Sequence, residues 1–120
     1  MYKCVIIDDD QLSIDILKTL INQHPAVTTL ATYTNPARAI NEISVEDEID
    51  FLFLDIRMDI SGLDVAKMLR DKVRYLIFVT AYDKYAIDAF KVHGDKFLLK
   101  PITPEKFLLA IDQILLKEKR

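Results

Sequence analysis

The sequence predicts an α/β fold: a doubly wound parallel sheet with helices on both faces. Three observations carry that expectation. Short, uniformly apolar runs such as Cys4-Val5-Ile6-Ile7, Phe51-Leu52-Phe53-Leu54 and Leu76-Ile77-Phe78-Val79 alternate with stretches of helical period, the pattern of successive βαβ units. The runs lack the polar alternation of a half-exposed strand, so both of their faces must be covered. Four of them end in polar groups, at Asp8-Asp9-Asp10, Asp55, Thr80-Ala81 and Lys100-Pro101, at the strand ends where open parallel sheets place ligands.

The first strand runs through Cys4–Ile7 and is followed by a helix whose apolar stripe is Leu12, Ile16, Leu17, Leu20 and Ile21. Asp10 is placed to cap its start, and Pro25 forces it to stop. Residues 28–33 are β-branched and aromatic and predict the second strand. Asn35-Pro36 opens a short helix reaching about Ile43, with asparagine as cap and proline at the first helical position. Phe51–Leu54 is the third strand, and a helix follows from about Gly62 to Arg70. Residues 75–79 form the fourth strand, after which Asp83 is expected to cap a helix carrying Ala86, Ala89 and Phe90. The fifth strand is 97–99. Thr103-Pro104 opens the last helix, with Phe107, Leu108, Ile111, Ile114 and Leu115 as its stripe. Strict alternation implies right-handed crossovers.

At 120 residues the chain fits one domain, residues 1–120, and its 51% hydrophobic content supports a packed core. A net charge of -3 gives it no general attraction to nucleic acid or anionic lipid. Cys4 excludes an internal disulfide and any multi-cysteine metal site, and its neighbours make it a buried small hydrophobe. No apolar run approaches the ~18 residues of a membrane span, and the N-terminal apolar stretch is too short for a signal peptide. The expected location is cytoplasmic, with no membrane partner.

The strand ends gather carboxylates, a hydroxyl and an ammonium. Carboxylates within ~4 Å of one another repel by about 4 kcal/mol per pair at an effective dielectric near 20. Such a group takes up a proton or accepts a cation, and oxygen ligands point to Mg²⁺. Screened in that way, Asp55 can attack phosphorus, while the Thr80 hydroxyl, the Ala81 N–H and Lys100 can hold phosphoryl oxygens. Each element alone has an ordinary structural reading: acids cap helices, Thr80 caps a turn, Lys100 is a surface charge. Their joint placement at the ends of strands one, three, four and five carries the functional reading.

Asp8-Asp9, Leu54-Asp55-Ile56-Arg57-Met58, Thr80-Ala81 and Lys100-Pro101 together resemble the motif set of response-regulator receiver domains, across essentially the whole chain. Phe78-Val79-Thr80-Ala81-Tyr82-Asp83-Lys84-Tyr85-Ala86 with Ala89-Phe90 further resembles receivers that precede LytTR-type DNA-binding domains. The resemblance implies a flavodoxin-like (βα)5 sandwich with strand order 2-1-3-4-5. It implies that Asp55 accepts a phosphoryl group from a phosphohistidine on a sensor histidine kinase. Asp9 and Asp55 would ligate Mg²⁺, with Asp8 nearby and the Arg57 backbone carbonyl as a further ligand. Thr80, Ala81 and Lys100 would bind the phosphoryl group. Thr80 and Phe97, which takes the place of a rotating aromatic, would act as the switch. A cis Lys100–Pro101 bond, control of dephosphorylation by Arg57 and Tyr82, a phosphorylation-dependent homodimer through the α4-β5-α5 face, and DNA contact through an output domain outside residues 1–120 complete the expectation. The departures are Asp59 where proline is usual and Gly62 one residue early, which shorten the loop after Asp55 and add an acid to it.

Other readings compete. A Mg²⁺-dependent aspartyl phosphatase wants a second acid two residues after the nucleophile, where Arg57 stands. A flavodoxin-like cofactor binder wants a glycine-rich phosphate cradle, and the chain has two separate glycines. A pseudo-receiver or stand-alone interaction module without DNA output needs none of the acids kept here. His24 and His93 are read as structural or surface residues, the former as an imidazolium favoured by a helix C-terminus. Lys67, Arg70, Lys72 and Arg74 are read as a solvated face, Lys117–Arg120 as a solvated helix end, and Tyr82 and Tyr85 as packing on the sheet edge.

Overall fold

The computed structural model describes residues 1–118; Lys119 and Arg120 of the expected helix end lie outside the described residues. In chain order the elements are β1 (Tyr2–Ile7), α1 (Gln11–Gln23), β2 (Val27–Tyr33), α2 (Pro36–Glu42), β3 (Ile49–Leu54), α3 (Gly62–Leu69), β4 (Val73–Thr80), α4 (Ala86–Lys91), β5 (Lys96–Leu99) and α5 (Pro104–Glu118). Short 3-10 turns at Val45–Asp47, Arg70–Lys72 and Asp83–Tyr85 lead into β3, β4 and α4. Among the described residues the strands form a five-stranded parallel sheet in the order β2-β1-β3-β4-β5, as the resemblance implies.

The pleat sorts neighbouring residues into two cores. Val5, Ile7, Leu52, Leu54, Leu76 and Phe78 face one layer, packing with Ala39, Val65, Ala66, Leu69 and Ala89 from α2, α3 and α4. Cys4, Ile6, Phe51, Phe53, Ile77 and Val79 face the other, with Ile14, Leu17 and Ile21 of α1 and Phe107, Ile111 and Ile114 of α5. This second core contains an aromatic ladder: Phe51 stacks on Tyr75 at 5.5 Å, and Phe53 stacks on Phe107 at 5.9 Å. Burial pushes the Cys4 thiol up to about 12, so it is an inert core group.

Capping follows the sequence at α1 and α2, where Asp10 Oδ1 accepts from Leu12 N–H and Asn35 Oδ1 accepts from Ala37 N–H. Several packing expectations need correction. Leu12 and Ile16 are exposed while Ile14 takes the core, because α1 is apolar over more than one face. Leu108 is likewise exposed, and Ala110 sits inside. Asp83 does not cap α4: it begins a 3-10 turn for which Tyr82 is the cap residue, without a side-chain bond. Phe90 is 80% exposed, leaving Ala89 as the buried residue of α4 among the described residues.

The charged stretch is not simply solvated. Arg70 donates to the carbonyls of Val73 and Arg74 and pairs with Asp95, whose carboxylate accepts from Leu76 N–H. At the end of α5, Glu118 accepts from the Tyr75 hydroxyl and pairs with Arg74 at 2.8 Å. His24 Nδ1 accepts from Ala26 N–H at 3.1 Å, leaving a ring proton on Nε2 for Asp112 at 3.0 Å. A neutral imidazole makes both bonds, so no imidazolium is required.

Both glycines mark close approaches. A Cβ on Gly94 would stand 2.8 Å from the Phe78 ring, and the left-handed residue there is His93, with φ 62°. Gly62 is tighter. Its N–H donates to the Ile56 carbonyl at 2.7 Å, and a Cβ would stand 1.9 Å from the Asp55 carbonyl oxygen. The first turn of α3 thus sits on the backbone of Asp55, the residue just after β3. Gly62→Ala is expected to destabilise by roughly 1–3 kcal/mol, as overpacking against rigid neighbours does, measured by denaturant titration; an unchanged midpoint would contradict this packing.

Candidate functional site

Parallel register brings the strand ends together. Ile7 lies beside Leu54, and Thr80 beside Leu99; Asp55 N–H donates to the Ile7 carbonyl at 3.0 Å and Lys100 N–H to the Thr80 carbonyl at 2.8 Å. Asp8, Asp55, Thr80 and Lys100 therefore surround one spot, with Asp9 at its rim. One carboxylate oxygen from each of Asp8, Asp9 and Asp55 falls within 4.8 Å of the other two. Asp8 and Asp55 are buried and Asp9 is exposed. Asp8 Oδ1 accepts from Asp10 N–H at 2.9 Å, and Asp55 Oδ1 accepts from Ile56 N–H at 2.8 Å. Lys100 Nζ reaches Asp8 Oδ2 at 2.8 Å and Asp55 Oδ2 at 3.4 Å. The Lys100–Pro101 bond is cis.

Electrostatically the site is short of positive charge. Burial, and then the charge of Asp8, raise the Asp55 carboxyl above the usual carboxylate range, against the pull of Lys100. Partial burial and then Asp8 raise Asp9 too, with Asp59 adding to the effect. Burial pulls Lys100 down, but its bond to Asp8 and the charges of both acids outweigh that and hold it above the usual lysine range. The donor set suits a hard divalent cation: carboxylate oxygens already close together, in excess over the ammonium that faces them. A second observation points to a ligand. Thr80 Oγ1 is fully buried and has no hydrogen-bond partner among the described residues, an arrangement that native cores rarely leave without a purpose.

Arg57 and Tyr82, expected to flank the spot, lie against each other, with the guanidinium carbon 4.6 Å from the ring centroid. Tyr82 is 42% exposed and meets Tyr85 edge-on, so it covers the loop rather than packing on the sheet edge. Tyr85 is half-buried against the α2–α4 core, as is Phe97. Asp59, Ser61 and Tyr85 line one hollow with Asp9 and Arg57. Sequence reasoning missed the Ile56 N–H as a partner of Asp55 and the Arg57–Tyr82 contact. The first is a backbone donor with no residue-type signal, and the second joins two loops far apart in sequence.

The Asp55 shift has a definite sign for stability. Because the folded state holds that proton more tightly than the unfolded chain, stability falls as pH rises from the ordinary carboxylate range through the raised value, and the cost persists at neutral pH. Asp55→Asn keeps the shape, retains an acceptor for Ile56 N–H and removes the repulsion. It is expected to melt a few degrees above the parent near pH 7, with the gap closing toward pH 4, in calorimetric scans without divalent cations. A lower melting temperature for the variant at pH 7 would show that Lys100 overcompensates the acids.

A family model described as response regulator receiver domain matches residues 4–112. Among curated proteins, the chain is similar to the sensory transduction protein LytT of Enterococcus faecalis, 41% identical over 112 residues that cover 91% of this chain and 46% of LytT. It is also similar to the transcriptional regulatory protein BtsR of Escherichia coli, 38% identical over 104 residues, 85% of this chain and 43% of BtsR. The chain thus spans less than half the length of these relatives. Among solved structures, the REC domain of AraT, a response regulator from Geobacillus stearothermophilus, superposes with a TM-score of 0.82 at 27% identity, covering 99% of this chain and 98% of that one. The response regulatory domain of MrkE from Klebsiella pneumoniae shares the fold, with a TM-score of 0.86 at 21% identity and coverage of 98% and 99%. Sheet order, acid cluster and family match agree, and the chain belongs to the response regulator receiver domain family.

Proposed function

We propose that Asp55 of this receiver takes a phosphoryl group from the phosphohistidine of a sensor histidine kinase, and that the transfer requires Mg²⁺. The observation that carries this reading is the crowding of three carboxylates around a spot that also holds Lys100 and a buried, unpartnered Thr80 hydroxyl. In the transfer, an Asp55 oxygen bonds to phosphorus while the phosphorus–nitrogen bond of the phosphohistidine breaks, its electron pair returning to the imidazole. Asp9 and Asp55, with Asp8 alongside and the Arg57 carbonyl as a further ligand, would hold Mg²⁺, which screens the acids and makes the phosphorus more electrophilic. Lys100 stabilises charge on one phosphoryl oxygen. The Thr80 hydroxyl and the Ala81 N–H receive another, so the buried Thr80 oxygen gains the partner it lacks. Asp10 stays outside this set as the helix cap.

The chain acts as a phosphoacceptor rather than an enzyme on added substrate, and slowly hydrolyses its own aspartyl phosphate. In this reading residues 1–120 act as one receiver unit of a cytoplasmic regulator, and the greater length of its relatives supports a longer protein. Any control of transcription would run through an attached DNA-binding output domain, in line with the regulatory names of its relatives. Among the described residues no helix is long and apolar enough to cross a membrane.

With acetyl phosphate and Mg²⁺, intact-mass measurement should show one phosphoryl adduct on the parent and none on Asp55→Asn. An adduct on the variant would move the acceptor elsewhere, and none on either would favour a pseudo-receiver.

By the receiver resemblance, the side chains two residues after Asp55 and after Thr80 flank the approach of water in line with the bond to Asp55; here these are Arg57 and Tyr82, both large and in contact with each other. An Arg57→Ala, Tyr82→Ala double variant should therefore lose its phosphoryl group several-fold faster than the parent in a radiolabel chase, and an equal decay rate would remove the blocking role.

Ile87, Phe90 and Leu99 expose apolar surface on α4 and β5, close to half-buried Phe97 and Val92. Drawing Thr80 and Lys100 toward a phosphoryl group biases the packing of this face toward a homodimer. Sedimentation with and without beryllofluoride should show the mass rising with the mimic, and a monomer in both would count against it.

A further inference from the structure

Segment 82–91, between β4 and β5, is held to the rest of the molecule by little. Its 3-10 turn closes through a Tyr85 N–H to Tyr82 carbonyl bond of 3.5 Å, and neither that turn nor α4 has a side-chain cap. Ile87 and Phe90 point outward at 71% and 80% exposure, and Ala89 is the buried residue of α4 among the described residues. Segments with so few buried contacts open locally at low cost. This one follows directly on Thr80 and Ala81, so looseness within it would reach the two groups meant for a phosphoryl oxygen.

One lateral tie crosses from the neighbouring loop. The Arg57 guanidinium lies 4.6 Å from the centroid of the Tyr82 ring. Tyr82 meets Tyr85 edge-on, with centroids 6.3 Å apart and planes at 80°. Tyr85 is packed on the α2–α4 core, and Lys84 lies over its outer face at 5.3 Å. Arg57, Tyr82 and Tyr85 thus form a continuous row from the loop after Asp55, through the start of the 3-10 turn, to the core. The loop end of that row is stiff, because Gly62 is packed on the Asp55 backbone and bonded to Ile56.

We propose that Arg57 is a positioning residue that clamps segment 82–91 through the Tyr82 ring, so that the Ala81 N–H just before it is already held when Thr80 is drawn toward an arriving phosphoryl group. The clamp exists in the resting protein. Its effect on phosphoryl binding rests on the acceptor role of Asp55; the anchoring does not.

Hydrogen exchange of the full chain without phosphoryl mimic tests the anchoring. Arg57→Ala should speed exchange in residues 82–91 by about two- to fivefold, the size that a cation–π contact at an exposed site sustains, with β1, β3 and β4 unchanged. Tyr82→Phe, which keeps the ring face, should retain protection. Unchanged exchange in 82–91, or acceleration spread evenly over the molecule, overturns the clamp. Beryllofluoride titration then separates positioning from direct contact. Arg57→Ala and Tyr82→Ala should each weaken its binding by about the same two- to fivefold, and the double variant by no more than either. Full additivity would mean that Arg57 acts on the anion itself and would overturn the positioning role. If the parent takes up no beryllofluoride, the acceptor reading fails while the exchange result still stands.

Discussion

The Lys100 ammonium, 2.8 Å from Asp8 and 3.4 Å from Asp55, is the interaction on which the site depends. Two buried acids at the ends of adjacent strands repel strongly, and parallel register leaves them no room to separate, since Asp55 N–H is bonded to the Ile7 carbonyl just before Asp8. Lys100 comes from the end of β5, two strands beyond β3, and reaches both acids. One ammonium faces three carboxylates, and burial first, then the charge of Asp8, raises the proton affinities of Asp55 and Asp9. A fold that keeps this excess of carboxylate in its resting state is prepared for a cation, and with the cation for a phosphoryl group.

The two layers divide the labour. On the α1 and α5 side, stacked aromatics and long helices hold the sheet rigid beneath the acids. On the other side α3 is fixed by Gly62 against the Asp55 backbone, whereas α4 is thinly packed and turns its apolar side chains outward. Rigid carboxylates beside a lightly held segment suit a device in which chemistry at one strand end alters a neighbouring surface, because the segment that must move has little packing to break.

Much of this was legible in the sequence. Apolar strands that stop abruptly at acids, a threonine and a lysine announce both the sheet and the site, and Asn35, Asp10 and Thr103-Pro104 mark helix starts by residue type. The strand order came with the family resemblance rather than from periodicity. Helix faces were less legible: α1 carries apolar residues on more than one arc, and only the sheet decides that Ile14 is inside while Leu12 and Ile16 are outside. Contacts between distant loops were not legible at all. Arg57 and Tyr82, Arg70 and Asp95, and Tyr75 and Glu118 meet because of the fold, and nothing local in the chain distinguishes them from solvated side chains.

The site turns on the excess of carboxylate over ammonium at the strand ends, and the proton affinity of Asp55, raised first by burial and then by Asp8, responds to it. Carboxyl ¹³C chemical shifts, followed against pH with and without Mg²⁺, measure it residue by residue. Asp55 should titrate above the ordinary carboxylate range in metal-free protein and fall well below its metal-free value when Mg²⁺ is added, with Asp9 shifting in the same sense. An Asp55 that titrates as an ordinary carboxylate and ignores Mg²⁺ would contradict both the carboxylate excess and the cation site built on it.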